Sequence, residues 1–139
     1  KYGGASTVTA FLMAYRAYFY VRQNGRSPFL DYLRSLNSHK EVIYIESYID
    51  RLILRQGILP FPYAKKVVGK IWELRTKFGN RVFYFIHTNQ EIILLDGYTK
   101  KRDRIEPHVL HKVLAEYQDF LLTGLHKEFI SLKESYEEN

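Results

Sequence analysis

Three short segments, dense in aromatic and β-branched residues, follow one another between residues 71 and 98. Residues 71–76 alternate apolar and polar side chains, residues 81–87 are dense in aromatic and β-branched side chains, and residues 91–98 contain a further short apolar run. The turns between them, residues 77–80 and 88–90, carry Gly and Asn at hairpin loop lengths. Short apolar runs separated in this way are typical of an antiparallel meander. The sequence therefore predicts three consecutive strands, followed by a cationic loop that ends near Arg104.

The remaining elements surround this meander. An aromatic first strand is predicted at residues 16–22, and Ser27-Pro28 supplies an N-cap and a first-turn proline for a helix. Helical periodicity predicts three helices, at residues 28–36, 39–56 and 107–122. The order β-α-α-β-β-β-α predicts an α+β fold, in which a mainly antiparallel sheet has its helices packed against one face.

The 139-residue length fits one domain, which we expect at residues 16–125. Residues 1–15 are expected to form an arm, disordered or helical, and residues 126–139 a helical extension or tail. The sequence contains no apolar run near 18 residues, so we expect no membrane partner. The absence of cysteine excludes disulfides and cysteine-bound zinc. Together these features predict a cytoplasmic protein.

The excess positive charge is concentrated on and beside the meander. Residues 63–104 contain ten Lys and Arg and four acidic residues, a net charge of +6, whereas the other 97 residues carry eleven of each sign. Such a localised charge indicates an anionic partner and favours nucleic acid. The alternative interpretation is a solvated basic face.

Three motifs in fixed order carry a resemblance to a known family. They are Trp-Glu-Leu-Arg at 72–75, Arg-Val-Phe-Tyr-Phe at 81–85 and Gly-Tyr-Thr-Lys-Lys at 97–101, followed by the helix from Pro107. Over residues 17–120 the chain resembles the RelE/HigB superfamily of toxins from type II toxin–antitoxin modules, nearest to its phage-derived HigB-like branch. The resemblance implies a RelE-like fold and a ribosome-dependent mRNA endonuclease (an mRNA interferase). It also implies neutralisation by a cognate helix-turn-helix antitoxin.

RNA cleavage by attack of the 2′-hydroxyl on the adjacent phosphate requires a phosphate clamp and proton transfer. Arg75 and Arg81 flank one turn and are the best candidates for the clamp, because guanidinium groups grip phosphate bidentately. Glu73 is a candidate general base, or else it orients an arginine. Lys100 and Lys101 match a lysine pair of the family, and one of them, if buried, would have a lowered pKa and could donate a proton. This chemistry needs no metal or other cofactor.

Other residues of the basic region are candidates for RNA binding rather than for chemistry. Lys65 and Lys66 precede the meander, and Arg102 and Arg104 follow the lysine pair; all four could contact the backbone of messenger RNA. Tyr84 and Tyr98 are candidate stacking platforms for an unpaired base. For both tyrosines the alternative is a place in the core.

Two rival interpretations remain open at this point. A non-catalytic RNA- or DNA-binding module would use the same cations for affinity alone, with a steep salt dependence and no cleavage. A protein-binding domain would not depend on Arg81 or Lys101 at all.

Overall fold

The computed structural model describes residues 14–102 and 104–130. Within them the chain forms three α-helices and a mixed, open six-stranded sheet, which confirms the predicted α+β class. The strands are β1 (Arg16–Tyr20), β2 (Ala64–Val68), β3 (Ile71–Arg75), β4 (Asn80–His87), β5 (Glu91–Thr99) and β6 (His126–Glu128). The helices are α1 (Pro28–Ser35), α2 (His39–Leu54) and α3 (Pro107–Thr123), and a 3₁₀ turn at Thr88–Gln90 joins β4 to β5. None of the described helices combines the length and the apolar character that crossing a membrane requires.

The strand order across the sheet is β2-β3-β4-β5-β1-β6. The predicted meander is present as β3, β4 and β5, which pair in antiparallel fashion. From β1 the chain continues through α1 and α2 to β2. Strand β1 lies parallel to β5. Strand β6 then pairs with the free edge of β1 in antiparallel fashion.

The helices begin where the sequence predicts. Ser27 caps α1 through its side-chain oxygen, which accepts a hydrogen bond from the Leu30 amide at 3.2 Å, and Pro28 fits the first turn because no amide hydrogen is needed there. Helix α3 also begins at a proline, Pro107, and Gly124 ends it in the left-handed conformation at φ 68°. A glycine adopts this conformation without the steric cost that other residues incur.

Helices cover both faces of the sheet, so the prediction that they pack against one face is wrong. Along β4, Val82 and Tyr84 point to the face that α1 and α2 cover, where the core includes Phe29 and Ile49. Phe83 and Phe85 point the other way, into a second core formed with α3. We call these sides the α1/α2 face and the α3 face. Strands buried on both faces are continuously apolar rather than alternating.

Two strands were not predicted. Strand β2 forms the edge next to β3 and pairs with it in antiparallel fashion. At the other edge, His126–Glu128 forms β6 rather than the start of a helical extension. Residues 1–13 and 131–139, which hold most of the predicted arm and tail, lie outside the described residues. The division of the chain at residues 15 and 125 therefore stays a prediction.

A β-bulge in β5 changes which face its last residues occupy. Phe83 is paired with Asp96 but Tyr84 is paired with Leu94, so Leu95 is the extra residue. Beyond the bulge, Asp96 and Tyr98 lie on the α3 face, and Gly97 lies on the α1/α2 face. There a Cβ atom on Gly97 would come within 2.3 Å of the Tyr32 ring. Bulges of this kind re-aim side chains, often beside functional sites.

Candidate nucleic-acid interface

Arg75 and Arg81 lie directly opposite each other at one end of the β3–β4 hairpin, as the sequence predicts for residues that flank a turn. Arg81 is also paired with Tyr98 on β5. Residues in register on neighbouring strands have side chains on the same face. The three side chains therefore form a row across three strands on the α3 face.

Arg81 is the most constrained cation of this row. Its side chain is only 7% exposed, its Nε lies 3.4 Å from Oε2 of the buried Glu73, and it donates a hydrogen bond to the Asn80 carbonyl at 3.0 Å. Burial lowers the pKa of Arg81, and Arg75 lowers it further, whereas Glu73 raises it. Because the ordinary pKa of arginine is far above neutral pH, the group stays charged. A buried, fixed guanidinium is preorganised to receive an anion.

The position of Glu73 distinguishes between its two predicted roles, that of general base and that of a residue that orients an arginine. Glu73 is 5% exposed, and its carboxylate contacts Arg81. The residue is paired with Phe83 on β4 and with Lys65 on β2. An enclosed carboxylate that already holds a guanidinium is better placed to orient Arg81 than to take a proton from a substrate. The geometry therefore favours the orienting role.

Tyr98 is half-buried and stacks on Phe83, with ring centroids 5.6 Å apart and an interplanar angle of 5°. Burial raises the pKa of Tyr98, and Glu73 adds to the effect. The phenol therefore stays neutral at physiological pH. Its position in the row with Arg81 is compatible with the predicted stacking role, because stacking requires a fixed ring beside the phosphate site.

Tyr84 does not belong to the site, and its prediction as a stacking platform is wrong. It lies on the α1/α2 face, 1% exposed, within the core beneath the two helices. Burial raises its pKa, which is the expected effect for a phenol removed from water. No base could reach this ring without displacement of α1 or α2.

The basic loop after β5 begins beside the same hairpin turn. The Lys100 amide donates a hydrogen bond to the Gly79 carbonyl at 2.8 Å, which holds the start of the loop against the β3–β4 turn. Lys100 is half-buried, whereas Lys101, Arg102 and Arg104 are exposed. The burial that would make Lys101 a proton donor is therefore absent, and Lys100 is the better placed of the two.

Lys65 and Lys66 lie on the edge strand β2, and both are exposed. Lys65 is paired with Glu73, which places it on the α3 face beside the row of Arg75, Arg81 and Tyr98. Lys66 is paired with Trp72 and points to the opposite face. Lys65 therefore extends the basic row, and Lys66 does not.

A cavity of about 200 Å³ adjoins the two arginines and adds residues that the sequence analysis missed. Arg75, Arg81 and Lys77 supply its cations, and Tyr48 and Tyr63 supply aromatic walls. Tyr48 comes from α2 and Tyr63 from the segment before β2, so only the folded chain brings them to the hairpin. No local sequence pattern signals this proximity, because the two tyrosines belong to separate elements.

The sequence of residues 31–118 matches the family described as phage derived protein Gp49-like (DUF891). This match spans more than half of the chain. The chain belongs to the Gp49-like family. No curated protein matches it significantly.

The Gp49-like family is a toxin-like family, of RelE/HigB type, found in toxin–antitoxin modules. The matched region runs from α1 into α3, so it contains the hairpin arginines, the basic loop and both tyrosine walls of the cavity. Strands β1 and β6 lie outside it. The resemblance that the sequence motifs indicated is thus confirmed at the level of the family.

A buried polar network holds the hairpin turn of this Gp49-like chain in place. Asn80 is fully buried, and its side-chain amide donates to the Tyr32 hydroxyl at 2.9 Å and to Oε1 of Glu41 at 3.0 Å. Its side-chain oxygen accepts from Thr76 at 2.6 Å, and the Tyr32 hydroxyl lies 3.0 Å from Oγ1 of Thr99. The network joins α1, α2 and the ends of three strands, and so fixes the backbone that carries Arg81.

Replacing Asn80 with alanine should destabilise the protein by about 2–3 kcal/mol, because buried partners lose their hydrogen bonds. Urea unfolding monitored by circular dichroism measures this change. Ser47→Ala is the matched control, since Ser47 makes one exposed side-chain hydrogen bond, to the Tyr44 carbonyl. A free energy of unfolding within about 0.5 kcal/mol of wild type would show that the network adds nothing.

Proposed function

We propose that this protein is the toxin of a type II toxin–antitoxin system, and that it cleaves messenger RNA on the ribosome and so inhibits translation. The observation that carries the proposal is the pair of opposed arginines, Arg75 and Arg81, beside a cavity lined with cations and aromatic rings. Membership of a toxin-like family supports it. The place of action would be the cytoplasm, where translated messages are found.

In the proposed reaction the 2′-hydroxyl of one nucleotide attacks the adjacent phosphorus and releases its proton to water. The bond from phosphorus to the 5′-oxygen of the next nucleotide breaks, which leaves a 2′,3′-cyclic phosphate and a 5′-hydroxyl. Arg75 and Arg81 bind the phosphate oxygens and stabilise the extra negative charge of the transition state. Glu73 holds Arg81 in position, and Lys100 protonates the leaving oxygen. Tyr98 stacks on a neighbouring base. The exposed cations Lys65, Lys101, Arg102 and Arg104 contact the RNA or ribosomal backbone.

A cognate helix-turn-helix antitoxin is the proposed protein partner. It would neutralise the toxin by covering the basic row or by binding the helices. The family membership supports this partner, because toxins of such modules are kept inactive by a second protein. The acidic surface needed to cover ten clustered basic residues would come from the antitoxin.

A second function, RNA binding without cleavage, is favoured by one observation. Lys101, Arg102 and Arg104 are exposed rather than enclosed, which suits backbone affinity better than proton transfer. Such a module would bind RNA with a steep salt dependence and leave it intact.

Induced expression of wild-type protein should arrest growth, and primer extension on a translated message should show new 5′ ends. Arg75→Gln should reduce those cuts by roughly tenfold or more, because a charge-assisted bond to phosphate is lost. Arg34→Gln is the matched control, since Arg34 is exposed and pairs only weakly, at 3.7 Å, with Asp31. Growth without arrest and an intact message, with folded protein free of antitoxin, would favour the binding module instead.

A further inference from the structure

A second cavity, of about 350 Å³, lies directly beside the first. It is formed by the outer side of α2 and by the segment between α2 and β2. The two cavities share two lining residues, Tyr48 and Tyr63. These rings lie 6.1 Å apart with an interplanar angle of 58°. They therefore form a common aromatic wall with a cavity on either side.

The second cavity has cations of its own. Arg51 and Arg55 line it, both are exposed, and the Arg51 guanidinium lies 5.3 Å from the centroid of the Tyr48 ring. Among the described residues that line the two cavities, none is acidic. Cations that alternate with exposed aromatic rings are the usual surface for a single nucleic-acid strand, which offers phosphates and base faces in turn.

We propose that the second cavity binds the nucleotide next to the dinucleotide whose phosphate is held by Arg75 and Arg81, on a single RNA strand. Its base stacks on Tyr63, which is 42% exposed, and its phosphate is held by Arg51 and Arg55. This inference rests on RNA as the ligand of the proposed active site. It extends the binding surface from the end of the sheet onto α2.

A protein segment is the competing occupant of this surface. Leu54 lines the cavity and is 80% exposed, which would suit a hydrophobic anchor of a peptide. RNA is favoured because the charged side chains in the described lining of both cavities are all cations, and because the aromatic wall is common to both. A peptide occupant would depend on Leu54, whereas an RNA strand would depend on the arginines and on Tyr63.

The test measures fluorescence anisotropy with non-cleavable 2′-O-methyl oligonucleotides, two to six residues long. For the wild-type protein, affinity should rise once the strand is long enough to fill both cavities. Arg51→Gln/Arg55→Gln should abolish that rise while leaving dinucleotide binding unchanged, and should reduce the salt slope by about 0.7 per lost phosphate contact. Tyr63→Ala should weaken binding of the longer strands roughly tenfold, and Tyr63→Phe should restore it.

Arg26→Gln/Arg34→Gln is the matched charge control, because these exposed arginines pair with Asp31 and line neither cavity. If Arg51→Gln/Arg55→Gln behaves like this control, the second subsite is wrong. Loss of long-strand binding in Leu54→Gln with no loss in the arginine variant would also overturn it, in favour of a hydrophobic docking surface. A wild-type protein that binds no oligonucleotide of any length would instead count against RNA as the ligand, and so against the proposed function.

Discussion

Replacing Arg81 with lysine should reduce cleavage of ribosome-bound message by roughly 10²–10³-fold, as expected when a preorganised transition-state donor is lost. Lysine keeps the charge beside Glu73 but presents a single ammonium, so it cannot bind two phosphate oxygens in the fork geometry of a guanidinium. Arg81→Ala is a less suitable test, because it would leave the buried Glu73 carboxylate unpaired and so cost about 3–5 kcal/mol of stability. The cleavage rate on stalled translation complexes measures the effect.

The control for this prediction is Arg34→Lys, which makes the same chemical change at an exposed position. Both variants should keep the circular dichroism spectrum of the wild type. If Arg81→Lys cuts at a rate within about threefold of wild type, Arg81 makes no bidentate contact in the transition state, and the phosphate clamp must be placed elsewhere.

Stability should fall as the pH rises from about 5 to about 8, and Glu116→Gln should remove most of this fall. Glu116 is 2% exposed, and burial raises its pKa to about 9, with a further contribution from the neighbouring Asp96. Lys112 and Arg22 oppose the shift. Oε2 of Glu116 accepts a hydrogen bond from Arg22 at 2.9 Å, whereas Oε1 has no hydrogen-bond partner among the described residues. The Gly97 amide donates a hydrogen bond to the neighbouring Asp96 at 2.7 Å, and Nζ of Lys112 lies 3.2 Å from the Asp96 carboxylate.

The sign of the effect follows from proton binding. Below the ordinary pKa of 4.5 the carboxyl group is protonated in both states. Above it the unfolded chain releases the proton while the folded chain keeps it until about pH 9, so the unfolded state gains stability. Each pH unit in this window costs about 1.4 kcal/mol, so the loss between pH 5 and pH 8 is at most roughly 4 kcal/mol. Urea unfolding at a series of pH values measures it, and equal slopes for wild type and Glu116→Gln would contradict the prediction.

Local signals were enough to predict most of the secondary structure. Ser27 and Pro28 mark the start of α1, and Pro107 marks the start of α3. Each helix start depends only on neighbouring residues. The meander could also be predicted, since Gly79 and the residues of the two turns interrupt the apolar runs. The placement of Arg75 opposite Arg81 on the neighbouring strand could be predicted from the length of the loop between them.

Features that depend on distant parts of the chain could not be predicted in the same way. The apolar runs of β4 and β5 are continuous, which in retrospect indicates burial on both faces. Strand β6 has only three residues, and the pairing of Phe19 with Lys127 decides its conformation rather than any local preference.

The face on which each tyrosine lies was the least predictable part of the candidate site. Alternation from Ile92 and Leu94 would place Tyr98 on the α1/α2 face, but the bulge at Leu95 transfers it to the α3 face beside Arg81. Tyr84 has no such shift and stays in the core. The cavity residues Tyr48 and Tyr63 come from separate elements, and a sequence pattern does not report their proximity.

The position of β1 and β6 has a practical consequence. Residues 14 and 130 both leave the sheet near the start of β1, because β1 runs parallel to β5 and β6 runs back along it. Arg75 and Arg81 lie at the opposite end of the strands and toward the opposite edge. A fluorescent label attached at residue 14 or at residue 130 would therefore lie diagonally across the molecule from the two arginines.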